Sequence, residues 1–276
     1  MEVSRFGVPG GTLYCERRGQ GPLLLLIPGG SGDASGFTML AEALAGRFTV
    51  VSYDRRGFGR SPLERPPDDA KRLTEDADDA WHLLGALGEG RGLVMGSSSG
   101  AIVGLDLVAR HPEAVELLVA HEPPLVTLLP DAGEQLAFFD SVYATWRRDG
   151  LGPALDRFND HIGAERMPAP PPGAQLPPHL AELLDRLRVS MAFFLEHELR
   201  QYAAVTPDLA ALRAAGGRVV LASGRDSEGA LPSRPNLVLA ERLGTEVVDF
   251  PGDHVGYVRH PAEFAARLEE VMTRVA

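Results

Sequence analysis

Ser98 stands at the centre of Gly96-Ser97-Ser98-Ser99-Gly100, where the apolar run Leu93-Val94-Met95 gives way to the helical pattern that opens with Ala101-Ile102. A serine at a strand-to-helix joint, with glycine two positions before and after it, fits the nucleophile-elbow pattern G-x-S-x-G. The turn is sharp, its central backbone is strained and the outgoing helix passes close by, so the flanking positions need residues without bulk. Serine is a weak nucleophile at its free pKa and needs a base to take its proton, with a further group to hold that base. A pattern with three fixed positions recurs by chance in a chain of 31 glycines. Its meaning therefore depends on partners and on the elements that carry them.

Partners should lie in loops at the ends of later strands. His254 follows an apolar run that ends at Phe250, inside Pro251-Gly252-Asp253-His254-Val255-Gly256-Tyr257, whose small residues let a loop bend toward the elbow. It is the candidate base. Asp226 follows Val219-Val220-Leu221-Ala222-Ser223-Gly224-Arg225, another strand running into a loop, and is the expected acid. A rival acid is Glu122 in His121-Glu122-Pro123-Pro124, directly after the preceding strand, from where a carboxylate can reach the same histidine. Asp253 adjoins His254 in the chain and is too close to orient its ring. Acyl transfer further requires two preorganised donors for an oxyanion. Pro28-Gly29-Gly30-Ser31-Gly32 follows the strand Leu23 to Ile27, and the N–H groups of Gly30 and of Ser99, the residue after the nucleophile, are the expected pair. A phosphate cradle is disfavoured, because the chain has neither G-x-x-x-x-G-K-[ST] nor a properly placed G-x-G-x-x-G.

The elements that must position these residues alternate. Strands are predicted at 3–7, 12–18, 23–27, 48–53, 92–95, 116–120, 218–222 and 246–250, and helices near 37–46, 74–88, 100–110, 207–215, 235–243 and 261–275. The first two strands, separated by Pro9-Gly10-Gly11, read as a hairpin, and the rest as βαβ units of a largely parallel sheet. Such sheets carry their sites at the carboxyl ends of the strands. From 124 to 206 the alternation stops, and helices are broken by the proline run 168–172 and by Pro177-Pro178. This segment reads as a helical cap inserted into a core made of 1–123 and 207–276. Its apolar residues Phe138, Phe139, Trp146, Phe158, Met167, Met191, Phe193, Phe194, Leu195 and Tyr202 either pack the cap on the core or wall a substrate site.

A net charge of −11 opposes nucleic-acid or anionic-membrane partners, which favour clustered Lys and Arg. No apolar run approaches the length of a membrane span, and Met1 to Phe6 lacks the pattern of a secretory signal, so a soluble cytoplasmic protein is expected. The single cysteine, Cys15, cannot form an internal disulfide, and Lys71, the only lysine, lies in a charged stretch unsuited to Schiff-base chemistry. Glu196-His197-Glu198 lacks the second histidine of H-E-x-x-H, so no metal and no cofactor are expected. The acidic stretches 67–69 and 75–79 read as a solvated face.

Along nearly its whole length the chain resembles the α/β-hydrolase superfamily. The resemblance rests on the elbow and on Tyr53-Asp54-Arg55-Arg56-Gly57-Phe58-Gly59-Arg60-Ser61, similar to that family's D-x-R-G-x-G-x-S turn. Ala109-Arg110-His111-Pro112-Glu113, Gly224-Arg225-Asp226 and Gly252-Asp253-His254 complete it. It implies an α/β-hydrolase fold, a mostly parallel eight-stranded sheet flanked by helices with an inserted helical cap. It also implies Ser98 as nucleophile, Asp226 as acid and His254 as base, in the family's chain order. The chain departs from the family in having Pro28-Gly29 where His-Gly is common, and Ser99 where a bulkier residue often follows the nucleophile. The expected activity is hydrolysis of a carboxylic ester, thioester or lactone of a mid-sized, partly apolar small molecule through an acyl-enzyme. Peptidase, perhydrolase and carbon–carbon hydrolase activities share the triad, and a non-hydrolytic ligand-binding protein could keep the fold. Oligomeric state is not readable from the sequence.

Overall fold

A computed structural model describes residues 1–88, 90–164 and 175–273. Eight strands, β1 (Glu2–Val8), β2 (Gly11–Arg18), β3 (Leu23–Ile27), β4 (Thr49–Tyr53), β5 (Gly92–Ser97), β6 (Val115–His121), β7 (Val219–Gly224) and β8 (Val247–Phe250), form one sheet. Its order is β1-β2-β4-β3-β5-β6-β7-β8. The β1–β2 and β2–β4 pairs are antiparallel, and every pair from β4 through β3 to β8 is parallel. All eight expected strands are present, with ends that move by no more than two residues.

The composition of the central strands follows from their position. In β3, Leu23-Leu24-Leu25-Leu26-Ile27 is buried at every residue, as expected of a parallel strand covered on both faces. Leu23, Leu25 and Ile27 join an apolar layer with α2 (Arg72–Leu87) and α3 (Ser99–Arg110), whereas Leu24 and Leu26 join the opposite layer with α1 (Thr38–Leu44). The alternation of side chains along a strand thus divides one leucine run between two cores.

Between β6 and β7 the chain leaves the sheet and forms α4 (Ala132–Asp149), α5 (Leu151–Ile162), α6 (Pro178–His197) and α7 (Leu199–Ala203). These helices share a third apolar cluster with Phe58 and Leu231 of the core. Met167 and the proline run 168–172 lie outside the described residues. The chain then returns through α8 (Leu209–Ala215), α9 (Arg234–Leu243), α10 (Gly256–Arg259) and α11 (Pro261–Thr273). Among the described residues no helix is long and apolar enough to cross a membrane.

One expectation fails on α2. Asp76 and Asp79, expected on a solvated face, are each 1% exposed. Arg55 and Arg72 pair with Asp76, and Arg56 pairs with Asp79. A carboxylate run on a helix next to an arginine-rich turn is neutralised at short range, and that lets it be buried.

Candidate active site

The elbow is built by backbone geometry. β5 ends at Ser97 and α3 begins at Ser99, leaving Ser98 between them at φ 56° and ψ −124°. Ser98 and Glu122 are the only residues other than glycine with positive φ among those described. The strain is held by fixed partners: the Ser98 N–H donates to the His121 carbonyl at 2.9 Å, and the Ser98 carbonyl accepts from Ala101 at 2.9 Å. A Cβ on Gly100 would strike the Ile27 carbonyl, and one on Gly96 the Gly100 carbonyl, so both flanking glycines are required by close backbone approach.

His254 lies in the loop after β8 and lines the same pocket as Ser98. Its Nδ1 is 2.6 Å from Oε2 of Glu122, and the imidazole is 16% exposed against 0% for the carboxylate. The other oxygen, Oε1, accepts from the Ser223 hydroxyl at 2.9 Å and the Gly224 N–H at 2.8 Å. Burial alone would raise the Glu122 pKa. The hydrogen bond and charge of His254, with His121 and Ser227, outweigh it and hold the carboxyl at about 2. Glu122 is therefore an anion at neutral pH, set against Nδ1 of His254.

The expected acid, Asp226, is not at this place. It is exposed, in the turn Arg225–Ser227, with its N–H donating to the Gly252 carbonyl at 3.0 Å. The physical reason lies in the strand ends. β6 lies beside β5 in the sheet and delivers Glu122 under the histidine. The end of β7 supplies donors to that carboxylate through Ser223 and Gly224. The rival position named from the sequence is the one the fold brings to His254, and its signal was a carboxylate directly after a strand.

The loop after β3 lies against Ser98. A Cβ on Gly29 would come within 3.0 Å of the Ser98 Cβ, and Gly32 closes a turn by donating to the Gly29 carbonyl at 2.8 Å. A Cβ on Gly30 would meet the Phe194 ring at 2.8 Å. Ser99 contributes the first N–H of α3, one of the helix-terminal donors that have no partner within the helix. The structure thus brings Ser98, Ser99 and His254 to one pocket and sets the Gly29–Gly30 loop beside them.

The pocket has an empty volume of about 480 Å³ including its mouth. Of the aromatic residues singled out in the insertion, Phe139, Phe158, Phe194 and Tyr202 line it, together with Ile162 and Leu199. Others serve packing: Phe138 stacks on His161, Phe193 meets Phe58 edge-on, and Trp146 donates to Glu196. Pro124, just after β6, and Leu231 and Pro232, between β7 and α9, complete the wall. Behind the elbow, His121 is fully buried with Nδ1 3.4 Å from the Ser97 hydroxyl, and burial pushes its pKa down to about 4. Among the described residues no group of three or more His, Cys, Asp and Glu side chains is placed to hold a metal ion.

Comparison with known proteins gives consistent relatives. A profile of the alpha/beta hydrolase family matches residues 24–267. The uncharacterized hydrolase YraK of Bacillus subtilis is 34% identical over 271 residues, covering 97% of this chain and 94% of its own. Among solved structures, a thermophilic esterase from Thermogutta terrifontis superposes with a TM-score of 0.74 at 19% identity, covering 100% of this chain and 99% of its own. The enol-lactonase from Burkholderia xenovorans gives a TM-score of 0.69 at 18% identity, with 98% and 100% covered. At these identities the two structures establish a shared fold.

Proposed function

This chain belongs to the alpha/beta hydrolase family, and on that premise we propose that it is a serine hydrolase that cleaves a carboxylic ester, thioester or lactone through an acyl-enzyme. The observation that carries the reading is the hydrogen bond from His254 to the buried Glu122, made while His254 and the strained Ser98 share one pocket. His254 Nε2 takes the Ser98 proton as Oγ attacks the substrate carbonyl carbon, and returns it to the departing alkoxide or thiolate. Water then enters, loses a proton to the same nitrogen and attacks the acyl carbon, releasing the acid and restoring Ser98. Glu122 holds the imidazole in the tautomer with Nδ1 protonated and stabilises the imidazolium. The N–H groups of Gly30 and Ser99 receive the oxyanion.

The inserted helices act in this reading as a cap. The aromatic and aliphatic side chains they bring to the pocket favour a small, uncharged, partly apolar acyl group. The test is a fluorophosphonate probe together with a panel of p-nitrophenyl esters of increasing acyl length, then lactones and thioesters. Labelling and turnover should both vanish in Ser98→Ala. Folded wild-type protein that neither labels nor turns over any of them at neutral pH overturns the reading.

A further inference from the structure

We propose that Arg55 is a positioning residue for the oxyanion donor at Gly30, and that the inserted helix α6 holds Arg55 to that task. The inference rests on the acyl-enzyme reading of Ser98 and assigns a role to a residue that neither contacts substrate nor belongs to the triad.

Arg55 begins the turn after β4 and is 0% exposed. Its Nη2 donates to the Gly29 carbonyl at 2.8 Å, and its backbone N–H donates to the Gly32 carbonyl at 2.8 Å, so it grips both ends of the oxyanion turn. The Gly29 carbonyl and the Gly30 N–H are the two ends of a single peptide unit. That unit is planar, and no peptide bond in the described chain is cis, so fixing the carbonyl fixes the direction of the N–H. A cation on the carbonyl oxygen also draws density from the amide and strengthens its N–H as a donor. Among the described residues the Gly30 N–H has no backbone acceptor, so that donor is not committed to the backbone.

The guanidinium is aimed by the insertion. Glu198, fully buried at the end of α6, accepts from Nη1 and Nη2 of Arg55 at 2.8 Å each, a bidentate clamp that leaves the remaining Nη2 donor pointing at Gly29. Asp76 takes a further bond from Nη1 at 3.0 Å. Glu198 ends a row of residues spaced by four. Arg186 pairs with Asp33, Ser190 accepts from the Gly59 N–H at 3.2 Å, and Phe194 lies on Gly30. Residues four apart share a helix face, so one stripe of α6 rests on the oxyanion loop and on the turn that carries Arg55. Simple closure of the cap would not require a buried carboxylate at the end of that stripe, given the desolvation such a group costs.

The experiment compares full-length wild type with Glu198→Gln and Arg55→Lys. Glu198→Gln keeps the shape and weakens the clamp, and Arg55→Lys keeps the charge but cannot serve Glu198 and Gly29 from one plane. Active sites are titrated with a fluorophosphonate, so that unfolded protein does not imitate a loss. kcat per titrated site should fall about 10- to 100-fold, less than the roughly 10²- to 10³-fold cost of deleting an oxyanion donor, while KM moves by less than about threefold. The inhibition constant of phenylboronic acid, which forms a tetrahedral oxyanion mimic on a serine, should rise by a factor similar to the fall in kcat. Unchanged kcat and boronate affinity in Glu198→Gln, with only a lower melting temperature, overturn the proposal even if Arg55→Lys fails to fold. Wild type that shows no Ser98-dependent turnover overturns the acyl-enzyme reading and this inference together.

Discussion

Replacing Glu122 by glutamine changes one atom and should disable the histidine. In the native site Oε1 is committed to two donors, the Ser223 hydroxyl at 2.9 Å and the Gly224 N–H at 2.8 Å, while Oε2 receives His254 Nδ1 at 2.6 Å. A glutamine has one oxygen for these two sides. The Gly224 donor belongs to the backbone and cannot turn away, so the amide oxygen stays on that side and the NH₂ group faces His254. Nδ1 must then accept, the ring proton moves to Nε2, and the imidazole can no longer take the Ser98 proton. The opposite amide orientation sets two donors against each other in a fully buried site. Either way the loss in kcat should be on the order of 10³- to 10⁴-fold, about 4 to 5.5 kcal/mol of barrier. Asp226→Asn, in an exposed turn, should stay within about twofold, the scale of surface substitutions. The assay is steady-state hydrolysis of a p-nitrophenyl ester per fluorophosphonate-titrated site, with thermal melts as the control for folding. Retention of more than about a fifth of the activity in Glu122→Gln, or collapse of Asp226→Asn, would refute the assignment of the acid.

Other perturbations follow from the same geometry. His121 is buried neutral with its pKa pushed down to about 4 from 6.5, so the unfolded chain binds the extra proton between those values and stability falls as pH drops from 6.5 toward 4, by up to about 3 kcal/mol. Glu122, held at about 2, keeps its stabilisation above pH 4.5 and loses it as pH falls from there, so the slope of urea-unfolding stability between pH 6.5 and 4.5 should flatten in His121→Phe. An equal slope in both proteins would place its origin elsewhere. Gly100→Ala drives a Cβ into the Ile27 and Pro28 carbonyls, which cannot give way, and should cost about 3 kcal/mol or more in urea unfolding. Gly133→Ala, in α4 with nothing within 4 Å, should instead gain about 0.5 to 1 kcal/mol. Phe158→Ala removes a wall of the pocket and should shift kcat/KM toward longer acyl chains by about tenfold or more in an ester series.

The parts of the fold that were legible are those written in short-range pattern. Buried parallel strands such as Leu23 to Ile27 must be apolar at every position, and the elbow glycines have no substitute, so strands, helices and the strand-to-helix turn at Ser98 could be placed from residue types alone. The helices between β6 and β7 were visible as a break in the alternation. Which of their aromatics face the pocket was not, because Phe193 and Phe194 are neighbours on one helix, and only the seating of α6 separates the ring on Phe58 from the ring over Gly30. The same limit hid the burial of Asp76 and Glu198, whose counter-ion Arg55 lies 21 and 143 residues away in the chain.

The choice of acid turns on geometry that no spacing encodes. Asp226 and Glu122 both follow strands, and their strands are neighbours in the sheet. A backbone torsion distinguishes Glu122. Glu122 adopts φ 49° at the end of β6 while its N–H still bonds to the Ala222 carbonyl of β7 at 3.0 Å. That conformation costs on the order of 1 to 3 kcal/mol for a residue other than glycine, and its three side-chain hydrogen bonds are available to offset it. The opposite strained residue, Ser98, donates its N–H to the carbonyl of His121, the residue before Glu122. One hydrogen bond thus ties Ser98, just past β5, to the residue before Glu122 at the end of β6, which sets Ser98 relative to the carboxylate independently of the histidine loop. In the proposed triad the loop after β8 then needs only to supply the imidazole, so a shift in that loop should cost p-nitrophenyl ester turnover through His254 while leaving the Ser98–His121 hydrogen bond intact.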